Sequence, residues 1–124
     1  MQMGQQTLLL VDDEWMICES LADYFGEAGF NVLQASNADQ ALAILANTPV
    51  DLLVSDIKMP GKIDGMELAR QTLSARPNFP IALISGGTAR EEIEATFGAT
   101  VAFFAKPFQF RKLEHYVRTR LQAS

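Results

Sequence analysis

The stretch Val50-Asp51-Leu52-Leu53-Val54-Ser55-Asp56-Ile57-Lys58-Met59-Pro60-Gly61 decides how the rest of this chain is read. A short apolar run ends abruptly on the carboxylate of Asp56, and Pro60 and Gly61 then turn the chain away. A run of about four to eight apolar residues bounded by turn signals reads as a strand buried on both faces. Asp56 is then expected at the rim of a sheet, aimed into a crevice. The remaining sequence holds what such an aspartate needs to do chemistry: further acids, a hydroxyl, a lysine and glycines.

Outward from this strand the same pattern repeats. Thr7–Val11 is an apolar run ending in Asp12-Asp13-Glu14. Ile17, Leu21, Tyr24, Phe25 and Ala28 recur at helical spacing, which predicts a helix from Glu14 to Ala28 with Gly29 as its left-handed C-terminal cap. Asn31–Ala35 is a weaker second strand, and Ser36-x-x-Asp39 is a capping pattern opening a helix to about Ala46. Past the central strand, Gly65–Ala75 reads as a helix stopped by Arg76-Pro77. Pro80–Ser85 is a fourth strand ending at Gly86-Gly87. Thr88-x-x-Glu91 is a second capping box, starting a short helix that closes at Gly98. Val101–Ala105 is a fifth strand ending at Lys106-Pro107, and Phe110, Leu113, Val117 and Leu121 mark a last amphipathic helix.

Five strands alternating with five helices predict an α/β fold, a doubly wound parallel sheet covered on both faces, over one domain, 1–124. In such sheets the binding crevice lies beyond the carboxyl ends of the strands. Asp12, Asp13, Asp56, Ser85 and Lys106 all fall at those ends. Convergence at one rim is the central expectation.

Composition narrows the function classes. The chain has 48% hydrophobic and 20% charged residues, as ordinary soluble domains do. It has no apolar stretch near the roughly 18 residues that span a bilayer. The start, Met1 to Gln6, has neither a basic residue nor an apolar signal core, and Cys18 is alone. Both fit a cytoplasmic protein with no disulfide and no membrane partner. All ten Lys and Arg lie from Lys58 onward, and the net charge is −5. An acidic pocket inviting a cation is the better reading than a nucleic-acid surface.

Three carboxylates in one crevice call for a raised pKa or a bound cation. Without Cys or His in the cluster, a hard ion is favoured: Mg²⁺, with Mn²⁺ as an alternative. Asp56 then has the makings of a carboxylate nucleophile toward phosphorus. Lys106 would pair with a phosphoryl oxygen, the Ser85 hydroxyl would bond another, and Gly86 would offer an unobstructed backbone N–H.

At these residues the chain resembles the response-regulator receiver domain of two-component signalling, from Leu8 to about Leu121. VDDE at 11–14, SDIKMPG at 55–61, ISGG at 84–87 and AKPF at 105–108 fall in the family's order and spacing. The resemblance implies the flavodoxin-like strand order 2-1-3-4-5. It implies that Asp56 is the phosphoacceptor, receiving its group from a sensor histidine kinase or a histidine phosphotransfer protein. Asp13, Asp56 and the Lys58 backbone carbonyl would ligate Mg²⁺, with Asp12 acting largely through water. Ser85 and Lys106 would hold the phosphoryl group, and the Lys106–Pro107 peptide would be cis. Ser85 and Phe103 would switch, changing the surface of the fourth helix, fifth strand and fifth helix. A downstream protein or fused effector would read that surface, with a phosphorylation-dependent homodimer as one form of output. The domain would be no enzyme beyond promoting its own phosphorylation and dephosphorylation.

Two features depart from the commonest family pattern. The loop Met59–Gly65 is one residue longer, and Phe103 stands where some members have tyrosine. Competing readings are an aspartate-nucleophile phosphatase, a flavodoxin-type cofactor domain and a phosphate-independent docking module. The phosphatase would want D-x-D rather than adjacent acids after the first strand, and those acids would repel a flavin phosphate. The chain closes just after its last helix, as expected of either a stand-alone receiver or one excised from a larger regulator. His115, Arg111, Lys112, Arg118 and Arg120 read as a solvated polar face, and Cys18 as a small packed hydrophobe.

Overall fold

The computed structural model describes residues 5–87 and 89–122. Residues 1–4 and Thr88, the expected cap of the fourth helix, lie outside the described residues. The elements alternate as β1 Thr7–Val11, α1 Trp15–Glu27, β2 Asn31–Ala35, α2 Ala38–Asn47, β3 Leu52–Asp56, α3 Gly65–Ala75, β4 Ile81–Ser85, α4 Arg90–Phe97, β5 Val101–Ala105 and α5 Phe110–Gln122. A short 3-10 turn, Gly98–Thr100, leads into β5. All five strands are parallel, in the order β2-β1-β3-β4-β5.

Burial explains why the strands read differently in sequence. The three central strands are buried at every position, so they carry unbroken apolar runs. The edge strands β2 and β5 keep partly exposed positions, and β2 gave the weakest signal for that reason. Alternate side chains go to opposite faces. Leu9, Leu53, Ile81 and Leu83 pack with α2, α3 and α4 through Ala41, Leu68, Ala69 and Ile93. Leu8, Leu10, Leu52 and Ile84 pack with α1 and α5 through Leu21, Phe25, Leu113 and Val117.

Helix ends follow local chemistry. At the end of α1, Gly29 has φ +104°, and its N–H bonds the Gly26 carbonyl while the Phe30 N–H bonds that of Phe25. This paired closure needs a left-handed residue. The rings of Phe25 and Phe30 meet edge to face at 5.9 Å, completing it. The start of α2 differs from expectation by one residue. Asn37, not Ser36, is the cap, its side chain accepting from the Gln40 N–H at 2.8 Å. Gln40 rather than Asp39 reaches back, accepting from the Ser36 N–H and hydroxyl. Both side chains at the cap are amides, and each uses its carbonyl oxygen to accept from a backbone N–H, of the first turn or of the residue before the cap.

The expected solvated basic face is correct for the exposed Arg111, Lys112 and His115 and wrong for two arginines. Arg118 donates to Glu114 and to the Ala28 carbonyl and lies over the Phe30 ring. Arg120 donates to the Tyr116 hydroxyl and the Asn78 carbonyl. They tie α5 to the end of α1 and to the turn between α3 and β4. Arg side chains bury their stems while satisfying distant carbonyls, which helical spacing alone does not reveal.

Two glycines three residues apart, one inside α1 and one just past its end, should respond oppositely to alanine. Neither added Cβ meets anything within 4 Å. Gly29→Ala forces alanine into a left-handed conformation and should cost about 1 kcal/mol. Gly26→Ala replaces glycine inside a helix and should add about 0.5–1 kcal/mol. Urea unfolding of the two variants reads both signs.

Candidate functional site

The order β2-β1-β3-β4-β5 reverses direction between β1 and β3, so the helices that follow them leave on opposite faces and open a crevice there. Asp12 and Asp13 follow β1, and Asp56 is the last residue of β3. One carboxylate oxygen from each lies within 4.8 Å of the others. Asp12 and Asp56 are buried, at 5% and 7% exposure, whereas Asp13 faces solvent. That spacing and an all-oxygen donor set fit a hard divalent cation, with Asp13 on the open side for water ligands.

Lys106 supplies the counter-charge. Its backbone N–H bonds the Ser85 carbonyl at 2.8 Å, fixing the end of β5 against β4. Its Nζ then reaches across to Asp56 at 3.2 Å, Glu14 at 3.1 Å and Asp12 at 3.6 Å. Partial burial pulls the ammonium pKa down. The hydrogen bond to Glu14 and the charges of Asp12 and Asp56 outweigh it, so the net shift is upward. Burial also dominates at Asp12, pushing its carboxyl above the ordinary value of 3.8. The Glu14 N–H, donating to its Oδ1 at 2.8 Å, opposes that rise, and the Asp56 charge adds to it.

Ser85 sits one residue past the Asp56–Ile84 register pair and is buried. Its Oγ accepts from the Gly87 N–H at 3.2 Å. Gly86 is exposed, and a Cβ there would meet nothing within 4 Å, so no protein atom demands glycine at that point. Lys58 follows in the loop with its side chain exposed. The Lys106–Pro107 peptide is cis. Phe103, paired in register with Leu83, packs partly buried against the α2–α3–α4 side of the sheet. The Arg90 guanidinium lies 5.0 Å over its ring.

Three contributors were not singled out from sequence. Gly65 opens α3 directly against the end of β3: a Cβ on it would fall 2.2 Å from the Asp56 carbonyl oxygen. Its N–H bonds the Ile57 carbonyl at 2.8 Å. The buried Ser55 hydroxyl donates to that same Asp56 carbonyl. Asp64 caps α3 by accepting from the Glu67 N–H. The signal for Gly65 was present: with Asp64 already capping the helix, a glycine at its first position has no local purpose. The longer loop is absorbed at Gly61, φ +112°, while Met59 and Ile63 pack onto the core on either side.

A family model, the response regulator receiver domain, matches residues 8–118. The chain belongs to the response-regulator receiver family. The transcriptional regulatory protein AruR of Pseudomonas aeruginosa is 40% identical over 114 residues, covering 86% of this chain and 45% of that protein. The chain spans a quarter to a half of the length of curated relatives of this kind. The crystal structure of a response regulator receiver protein from Sinorhizobium medicae superposes with a TM-score of 0.88 at 31% identity, covering 98% of both chains. TrrA of Thermotoga maritima, solved in complex with Mg(2+)-BeF, superposes at 0.83 and 28% identity, covering 94% of this chain and 99% of that one. The receiver fold expected from the sequence is thus the observed one.

Two consequences are measurable. Gly65→Ala must displace backbone, since its Cβ collides with the Asp56 carbonyl, and should cost roughly 2–3 kcal/mol in urea unfolding. Asp12→Asn should raise the melting temperature at neutral pH, because the folded protein holds Asp12 above its ordinary pKa and so disfavours its charge. The sign follows: the penalty is present above the folded pKa and vanishes as pH falls through it toward 3.8. The gap between variant and wild type should therefore close on acidification.

Proposed function

We propose that this receiver domain, spanning 1–124, takes a phosphoryl group onto Asp56 from a phosphohistidine of a sensor histidine kinase or phosphotransfer protein. The observation that carries this reading is the meeting of three carboxylates with the Lys106 ammonium 3.2 Å from Asp56 at the switch point of the sheet. An Asp56 carboxylate oxygen forms a bond to phosphorus as the phosphorus–nitrogen bond to the donor imidazole breaks. The electron pair leaves with the imidazole, and no redox change occurs. Lys106 exchanges a carboxylate partner for a phosphoryl oxygen, remaining charged throughout.

Asp12, Asp13, Asp56 and the Lys58 carbonyl are the groups that would hold Mg²⁺, or Mn²⁺ in its place. When bound, the ion supplies positive charge against the phosphoryl oxygens. Gly86 offers a backbone N–H to the phosphoryl group. Ser85 Oγ accepts from the Gly87 N–H in this structure, a bond it would give up on turning to the phosphoryl group. Release of Ser85 toward the phosphoryl group and inward rotation of Phe103 would alter the α4–β5–α5 surface. A downstream protein, a fused effector or a second phosphorylated copy would read it. Phe103 has no hydroxyl to bond, so burial alone would hold its inward state. The reading is of a signalling domain rather than an enzyme, acting in the cytoplasm without contact to nucleic acid or lipid. Among the described residues no helix is long and apolar enough to cross a membrane.

Intact mass after incubation with Mg²⁺ and acetyl phosphate tests this. Wild type should gain one phosphoryl group, and Asp56→Ala or an EDTA-treated sample should gain none. An adduct that persists on Asp56→Ala would refute the assignment. No adduct on wild type, even with a phosphorylated kinase, would favour a phosphate-independent docking module.

A further inference from the structure

Glu14 stands outside the three-carboxylate cluster, and the transfer chemistry does not call for it. Its side chain is 58% exposed at the mouth of the crevice, yet its Oε1 lies 3.1 Å from Lys106 Nζ, as close as the Asp56 oxygen at 3.2 Å. The contact joins positions 92 residues apart. Local folding does not explain it. As the residue before α1, Glu14 makes no side-chain capping bond. Its backbone N–H is taken by the Asp12 carboxylate, and its carbonyl by the Cys18 N–H.

An exposed carboxylate in that place acts on an arriving phosphoryl donor in two ways of the same sign. It occupies a donor of the ammonium that the phosphoryl oxygens must recruit. It also adds negative charge at the entrance, against the approach of an anion. We infer that Glu14 is a positioning residue that holds Lys106 and sets donor preference, disfavouring small dianionic phosphodonors at Asp56. This rests on the phosphoacceptor reading above. With acetyl phosphate, the bond from an Asp56 oxygen to phosphorus forms as the bond from phosphorus to the acetate oxygen breaks, and acetate leaves with the electron pair.

The test is Glu14→Gln, which keeps size and the backbone contacts while removing the charge. Initial rates of phosphorylation are read by intact mass at saturating Mg²⁺, with dianionic acetyl phosphate and monoanionic phosphoramidate, at low and high salt. An exposed ion pair of this kind predicts a gain of about three-fold with acetyl phosphate at low salt. The gain should be smaller with phosphoramidate and should shrink as salt screens the charge. Equal rates for variant and wild type would overturn the inference while leaving the phosphoacceptor reading intact. A gain equal for both donors and indifferent to salt would do the same. If neither protein takes a phosphoryl group from either donor, the inference on Glu14 falls, and the phosphoacceptor reading is decided separately by a phosphorylated kinase.

Discussion

The ammonium of Lys106 is the contact on which the organisation of the rim depends. Two buried carboxylates and a third exposed one, with oxygens within 4.8 Å, would repel if left to themselves. Lys106 follows the last strand yet touches groups that follow the first and end the third. Among the described residues it is the cation that pairs with these carboxylates, and it comes from the half of the chain that holds every Lys and Arg. The arrangement leaves a net negative crevice with one cation, a composition suited to exchanging partners rather than to locking one in place. Buried ion pairs of this sort add little stability against a well-packed apolar alternative, so their presence reads as function.

The apolar layers make that crevice possible. Central strands buried along their whole length fix the carboxyl ends of β1 and β3 side by side, and each face of the sheet is sealed by its own set of helices. Glycine at 65 lets the first turn of α3 close on the Asp56 carbonyl, with Ser55 donating to the same oxygen. Asp56 is therefore held by its backbone from two sides, with its carboxylate turned to Lys106 at the crevice. Holding a side chain this way spares the cost of ordering it at each encounter with a ligand.

Most of this was legible in the sequence because buried parallel strands announce themselves as apolar runs, and the polar residues of the rim sit where those runs stop. Asp12, Asp13, Asp56 and Lys106, picked out by position at strand ends, come together in the structure, and Ser85 ends the neighbouring strand. What escaped has a common cause. Gly65 matters through contact with backbone distant in sequence, and Arg118 and Arg120 through carbonyls at the end of α1 and in the turn between α3 and β4. The shift of the α2 cap from Ser36 to Asn37 reflects competition between neighbouring residues that can all cap. The pairing of Glu14 with Lys106 needed the fold, since 92 positions separate them.

The loop between β3 and α3 shows a division of labour along the chain. Its two ends are stitched together by the bond from the Gly65 N–H to the Ile57 carbonyl, and Asp64 secures the helix that follows. Between those stitches the chain is a closed bight. Doubling the length of a flexible loop costs only about 0.6 kcal/mol in closure entropy, so one more residue is nearly free. Between Met59 and Ile63, which the core holds, the chain can thus lengthen at little cost while the aspartate beside it stays put. A lineage can redraw the doorway without moving the hearth.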